Sequence, residues 1–577
     1  MPERPDGRDA AAALGELRAA RRRKRVADIH WIDALYHAYL TGLLGLGATL
    51  LLASWIGGDK LGPWRTSLYV RDAPDIVGVG VALAVLVGLR SGARGGPLAI
   101  EPADARHVLL APIDRGLALR GPALKQLRFA TFVAVIVGAI AGQLATHRLS
   151  GNHAAWLGSG AVLAVVTMLL GYGSALIAGS RRLPTWLANV LGLALVGWAV
   201  ADAADVIHAS PTGLVGTIAT WPLEFEPRAL IAAGVAVVLV LVGLAGLRTM
   251  SLEGAERRTQ LVGQLKFAAT LQDLRTVMVL RRQLAMELPR TRPWLRQRSP
   301  GRLPVWHRGI RGALRWPVAR VARLVGLGAV AGICLRGVGD GTLPLVLLAG
   351  IALYVAGLDA VESMAQEADH PGRSEALPRP IGDLLVRHLG VGVVVMVLVC
   401  LVGAGVALAL DPSLSALAMA GIAVPPAALA AAAGAALSVL QGIQEPSATW
   451  DLAPPEVAGM RTVFRVIGPP LVATAGCLPI VIARVVVDAD GDGDPFAAAA
   501  LGAVIALVVA GLAVGWIHQR EEIKAWFRRV QEEAGMGGTR PSTAGATTGG
   551  GTRATPRPTG RKPAPTKVTT SLPRKRS

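Results

Sequence analysis

Residues 389–410 read LGVGVVVMVLVCLVGAGVALAL, from Leu389 to Leu410, without a single charged or strongly polar side chain. A helix written this way has no wet face, so it cannot lie on the surface of a soluble domain. About 20 such residues cross the hydrocarbon of a bilayer, and a helix is the element that satisfies its own N–H and C=O groups there. The rest of the chain is composed in the same manner. Hydrophobic residues make up 52%, charged residues 17%, and mean hydropathy is +0.47. Soluble domains carry about 25% charge, so 577 residues do not divide here into several soluble domains.

Working outward, the sequence predicts an all-α polytopic membrane protein of about twelve transmembrane helices: 34–56, 75–91, 129–146, 154–179, 185–207, 229–247, 319–336, 343–361, 389–410, 413–441, 464–487 and 496–517. The second and seventh runs are the shortest on apolar content, the seventh carrying Arg323 near its start. Charge tests the count. The formal net charge is +20, from 59 Lys and Arg against 39 Asp and Glu. With the N-terminus inside, the outer loops hold Lys60, Arg65, Arg71, Arg148, Arg228 and Arg336, and nearly all other basic residues fall in inner segments. Removing one span would invert every later loop, against the positive-inside rule. Both termini are therefore expected in the cytoplasm. No apolar segment precedes Arg21-Arg22-Arg23-Lys24-Arg25, so a cleavable signal is not expected. Basic loops account for the charge without a nucleic-acid partner.

The layout repeats. Each half has a span, a long inner loop with a Pro-Ile pair that opens an amphipathic stretch, and then another span: Pro112-Ile113-Asp114-Arg115 in the first half, Pro380-Ile381-Gly382-Asp383 in the second. Proline suits the first position of a helix. A basic amphipathic segment precedes the first span of each half, Leu17–Val26 and Trp306–Val321, the latter with Arg308, Arg311, Arg315 and Arg320. The expected organisation is a basic N-terminus with an interfacial helix (1–33), a six-helix half (34–247), a cytoplasmic linker with a charged helix over 255–288 (248–317), a second six-helix half (318–518), and a basic cytoplasmic tail (519–577). From about 535 that tail holds nine basic residues, no acidic one, and too little apolar surface to fold. The linker reads either as a solvated helix or as a contact surface for a peripheral partner.

Few residues point to chemistry. The eight lysines (24, 60, 125, 266, 524, 562, 567 and 575) never close a Gly-rich phosphate loop, and no His-Glu-x-x-His, Cys-x-x-Cys or Gly-x-Ser-x-Gly pattern occurs. The chain is not expected to be an enzyme, nor to hold a cofactor of its own. Cys334, Cys400 and Cys477 fall inside apolar runs and read as small packing residues. Asp488, Asp490 and Asp492, followed by Gly493, match the opening of a calcium-binding loop, but Ala499 stands where its bidentate Glu belongs. A plain acidic turn explains them equally. Charges at membrane depth are costly and often functional. Asp202 and Asp205 share one helix face near the outer end of the fifth span, and Asp359 and Glu362 lie at the inner end of the eighth. Aligning the halves sets Arg90 against Asp359 as a possible pair between them. Gly138-x-x-x-Gly142, Gly328-x-x-x-Gly332 and Gly511-x-x-x-Gly515 permit close helix contact, and Pro425-Pro426 predicts a bend in the tenth span.

The loop before the third span resembles a known family. Leu109-Leu110-Ala111-Pro112-Ile113-Asp114-Arg115, followed by Gly121 and Lys125, is similar to the cytoplasmic stretch between the second and third helices of ABC-2-type exporter permeases. The amphipathic segment before the first span looks like that family's interfacial elbow helix. The chain thus resembles two such permeases fused head to tail; it is also similar in size and layout to actinobacterial multi-pass membrane proteins. The resemblance implies a cell-membrane transport subunit that forms the path for amphipathic or hydrophobic cargo. Separate ATPase subunits, holding ATP and Mg, would couple through Pro112, Ile113, Asp114 and Arg115 and through Pro380, Ile381 and Asp383. The second copy lacks the Arg of the motif. Two other readings stay open. One is a secondary transporter of major-facilitator type, since Asp114-Arg115-Gly116 is similar to a motif of that family, although Leu110 stands where the motif has Gly. The other is a membrane scaffold or assembly protein without transport activity.

Overall fold

The computed structural model describes residues 7–27, scattered positions between 36 and 60, and 62–98, 100, 114–251, 256, 258–265, 280, 290–295, 304–368, 372, 379–441, 466–489 and 493–533. Among these the chain is helical, with one isolated antiparallel bridge, Ile56 to Thr342, and no strand. Nine described helices are long and apolar enough to cross a membrane, or eleven crossings if two bent pairs each count as one. This is the make-up of a multi-pass membrane protein.

The spans of the first half are α2 (Pro63–Ala93), α3 (Arg115–Ala145), α4 (His153–Ser180), α5 (Thr185–Ala203) and α7 (Ala229–Ala245), after an N-terminal helix α1 (Gly7–Ala27); a short α6 (Gly213–Gly216) lies between α5 and α7. An amphipathic α8 (Pro304–Ala313) leads into the second half. There follow α9 (Val318–Gly339), α10 (Leu345–Ala360) with α11 (Glu362–Ala368), α12 (Ile381–Leu410), α13 (Leu414–Gln441), α14 (Val466–Ala475) with α15 (Leu478–Ala489), and α16 (Pro495–Glu533). Polar side chains start several of them: Asn152 accepts from Ala154 N at 2.9 Å and Asp494 from Phe496 N at 2.9 Å.

Among the described residues nine to eleven of the expected twelve crossings are present. Of the first predicted span, the described part is a short apolar helical run within Gly45–Ser54. The eighth and eleventh are broken, by 57° between α10 and α11 and by 65° between α14 and α15. Pro479, the second residue of α15, has no N–H to continue the preceding turn. Pro425 and Pro426, where a bend was expected, lie inside the uninterrupted α13. Most of the predicted linker helix and the tail beyond 533 fall outside the described residues.

Packing repeats between the halves. In the first, α4 packs against α2, α3 and α7; in the second, α13 packs against α10, α12 and α16. Glycine sets the closest approaches. A Cβ on Gly138 or Gly142 would strike the carbonyls of Gly160 and Trp156 on α4, and one on Gly328 or Gly332 those of Val399 and Gly403 on α12. Without side chains the backbones pack directly, which substitutes for a hydrophobic drive that lipid does not supply. Gly511 and Gly515 have open space where a Cβ would stand, so the third Gly-x-x-x-Gly match is not a helix contact among the described residues.

Candidate functional site

Both halves line one cavity of ≈ 960 Å3. Its apolar walls come from Leu52, Ala141, Leu144 and Ala145 on one side and Leu345, Leu348 and Ile351 on the other; Arg148, Arg336, Asp340 and Thr342 stand toward the loop end. Arg148 donates from Nη2 to the carbonyl of Asp340 at 3.0 Å, tying the halves across the rim. Arg336 pairs with Asp340 at 3.1 Å and with Asp411 at 3.3 Å. The result is an apolar chamber with a charged mouth, the gradient that an amphipathic molecule matches. Sequence placed Arg148 and Arg336 in outer loops but gave no sign that they share a wall.

At the opposite end lie the residues that the resemblance assigned to coupling. Pro112 and Ile113 fall outside the described residues. Asp114 caps α3, its Oδ1 accepting from Leu117 N at 3.2 Å, while its Oδ2 lies 3.5 Å from Arg248 Nε just beyond α7. Arg115 opens the helix and is exposed. In the second half Pro380 is the N-cap of α12, Ile381 is half-buried, and Asp383 pairs with Arg387 at 3.5 Å and with His518 Nε2 on α16 at 3.5 Å. Gly116 and Gly382 are each the second residue of their helix, and each faces that same partner: Gly116 the Arg248 side chain, Gly382 the His518 carbonyl. The corner is built alike in both halves, although only one copy carries the Arg of the motif.

The most buried charges sit in the second half. Asp359 is fully buried, and both Nε and Nη2 of Arg323 reach its Oδ2 at 2.8 Å. Arg320, itself buried, donates to the Asp359 carbonyl, approaches Asp359 Oδ1 at 3.8 Å, and reaches Glu362 Oε2 at 3.1 Å. Its guanidinium lies 4.0 Å over the Trp316 ring. The break between α10 and α11 falls between the two acids, so Arg320 caps the end of one helix and holds the start of the next. Asp359, which the alignment set against Arg90, meets Arg320 and Arg323 of its own half, and Arg90 stands in the last turn of α2. This also explains Arg323 near the start of a span: it faces a carboxylate instead of lipid.

Asp202 and Asp205 do not share a helix face. α5 ends at Ala203; Asp202 is buried and accepts from Ser210 N at 2.8 Å, whereas Asp205 lies past the end with φ +55° and pairs with Arg71 at 3.2 Å. A residue that sequence did not single out, Asp75 on α2, joins Asp202. A Cβ on Gly213 would stand 2.9 Å from Ser210 Oγ, 3.0 Å from Asp75 Oδ1 and 3.1 Å from Asp202 Oδ2. Neither Asp75 nor Asp202 has an Arg or Lys ion-pair partner among the described residues.

The calcium-like stretch has other uses. Asp488 closes a bidentate pair with Arg484 on α15, Asp494 caps α16, and Asp490 and Asp492 lie outside the described residues. The three cysteines are buried thiols that share one core; Cys400 and Cys477 also line a small apolar cavity of ≈ 140 Å3. Parts of the linker contact the bundle. Arg258 donates to Ser91 Oγ at 3.2 Å, its guanidinium held below the usual range by burial, and Thr259 accepts from Ile100 N at 3.2 Å. Comparison with family models, curated proteins and solved structures gives no match.

Proposed function

We propose that this chain is the transmembrane subunit of an ATP-driven exporter of the ABC-2 type, set in the cell membrane with both termini in the cytoplasm. It supplies the cargo path, while ATP and Mg are handled by a separate ATPase. The observation that carries this reading is the ≈ 960 Å3 cavity walled by both halves. Its size is that of a site for a small organic molecule (about 300–1,000 Å3), and its charged mouth over apolar walls suits amphipathic or hydrophobic cargo. The matching corners at Asp114 and Asp383 offer places for an ATPase to push. A force there reaches the last helix of each half through Arg248 and His518, and a relative movement of the halves would open or close the chamber. The test is a mild-detergent pull-down of the tagged chain from its native membrane. A stoichiometric P-loop ATPase that is lost when Pro112 to Arg115 are substituted supports the reading; a chain that purifies without one rejects it.

A second reading, an ion-coupled carrier, draws on Asp75 and Asp202, carboxylates that converge at Gly213 without an Arg or Lys ion-pair partner among the described residues. Gradient-driven transport by the chain alone in proteoliposomes would favour it over the first.

A further inference from the structure

The segment 290–295 is fastened to the end of α8 by three hydrogen bonds. Arg290 N donates to Arg315 O at 2.8 Å, Trp294 N to Leu314 O at 2.9 Å, and Trp294 Nε1 to Trp316 O at 3.0 Å. This satisfies carbonyls that the helix leaves open. It also brings like charges together. Arg290 stacks on Trp294 at 3.8 Å beside Arg315, and Arg311 stands in the last turn of α8, four residues before Arg315. Arg292 belongs to the same exposed segment. Among the described residues none of these four has a carboxylate partner; nearby Glu367 is buried and faces Arg308 at 3.6 Å. Such a cluster repels itself unless an anion joins it.

Depth identifies the anion. Trp306 packs where Gly390 would carry a Cβ, and Gly309 against Val391. Residues 390 and 391 lie where α12 passes from Asp383, Arg387 and His388 into its unbroken apolar run. α8 therefore lies across the bundle at the level where hydrocarbon gives way to headgroups. Trp294, 45% exposed, and Leu295, 69% exposed, add side chains of the kind that settle at that boundary. We propose that Arg290, Arg311 and Arg315, with Trp294, form a binding site for the phosphate of an acidic phospholipid in the leaflet that α8 faces. The guanidiniums take the phosphate oxygens, and Trp294 and Leu295 border the first carbons of the chains.

The experiment uses the full chain in nanodiscs of phosphatidylcholine alone or mixed with phosphatidylglycerol, with lipid retention read by native mass spectrometry and stability by thermal unfolding. The expected result is retained phosphatidylglycerol and a higher midpoint in the mixed discs. Each of Arg290→Gln, Arg311→Gln and Arg315→Gln should weaken retention by about fivefold, the contribution of one basic residue near an acidic surface. Arg228→Gln, at the opposite end, should leave it unchanged. Arg311 and Arg315 are exposed, so their single variants test the site even if the Arg290 variant fails to fold. Equal retention by the Arg311 and Arg315 variants and the unaltered chain would overturn the proposal. So would stabilisation by inorganic phosphate in phosphatidylcholine discs that matches phosphatidylglycerol, since a soluble anion would then be the ligand.

Discussion

Nε2 of His518 lies 3.5 Å from Oδ1 of Asp383, and at the matching corner of the first half Nε of Arg248 lies 3.5 Å from Oδ2 of Asp114. Each pair joins the start of one span to the end of the last span in its half. Both are substantially exposed, so each contributes little to stability, roughly 0–1 kcal/mol. In the proposed function their value is to transmit force between spans.

Asp383→Ala should therefore leave the unfolding midpoint nearly unchanged, while Asp114→Ala also loses a cap and costs about 0.5–2 kcal/mol. Both should lower coupled ATPase or export activity by about tenfold, equivalent to about 1.4 kcal/mol in the barrier. Parallel measurement of midpoint and turnover in the co-purified complex checks this. Activity that falls only as far as folded protein is lost would make the corners purely structural.

Arg320 should be the least replaceable side chain in the second half. It meets a fully buried carboxylate, a helix-terminal carbonyl, Glu362 and an indole ring at once. Breaking a buried pair by removing one partner costs about 3–5 kcal/mol, so Arg320→Ala should strongly destabilise the chain. Arg320→Lys keeps the charge but not the planar fork, and should fall between the two. A lysine variant as stable as the unaltered chain in a denaturant or thermal series would contradict this account.

Most spans were legible because apolar runs such as 389–410 leave one solution in lipid. The breaks were less so. The one after Asp359 coincides with a contact from Arg320, 39 residues earlier in the chain, which periodicity does not record. Asp359, which repeat alignment set against Arg90, meets Arg320 and Arg323, contacts that an alignment of the halves does not record. Asp202 and Asp205 were separated because the helix stops between them, and Asp75 became notable only when α2 and α5 came together. The inter-half cavity left no sequence signature, since its walls are the same Leu and Ala that face lipid elsewhere.

The glycine motifs give a controlled comparison. Gly332→Ala places a methyl group against the backbone carbonyl of Gly403, whereas Gly511 has no neighbour within 4 Å of a built Cβ. Overpacking costs about 1–3 kcal/mol. The first substitution should lower the midpoint clearly, and Gly511→Ala should hold it or raise it through better helix propensity, by up to about 1 kcal/mol. Equal effects at both sites, measured by thermal unfolding in one detergent, would remove the distinction drawn from packing.

Gly213→Ala tests the carboxylate corner. Its methyl group would enter a space bounded by three oxygens at 2.9–3.1 Å, and relieving that contact must move Ser210, Asp75 or Asp202. Destabilisation of about 1–3 kcal/mol is expected from crowding. Asp75→Ala in the same background opens room beside the methyl group and should recover part of the loss. Additive losses in the double variant would show that Asp75 does not border that space.

The cavity makes the sharpest demand on the proposed path. Ala145 and Leu348 line it from opposite halves, so a tryptophan at either position adds a ring to open space instead of to a packed core. Stability should change by about 1 kcal/mol or less, as for substitutions outside the core. Transport of any cargo that passes between the halves should fall by tenfold or more, about the cost of 1.4 kcal/mol in the barrier, and the double variant should fall further. Arg148→Ala should act differently: it loosens the rim by freeing the Asp340 carbonyl but leaves the chamber open, so a large loss there with none from Ala145→Trp or Leu348→Trp would move the site to the mouth. If none of the three variants alters transport in proteoliposomes carrying the reconstituted complex, the path does not run between the halves.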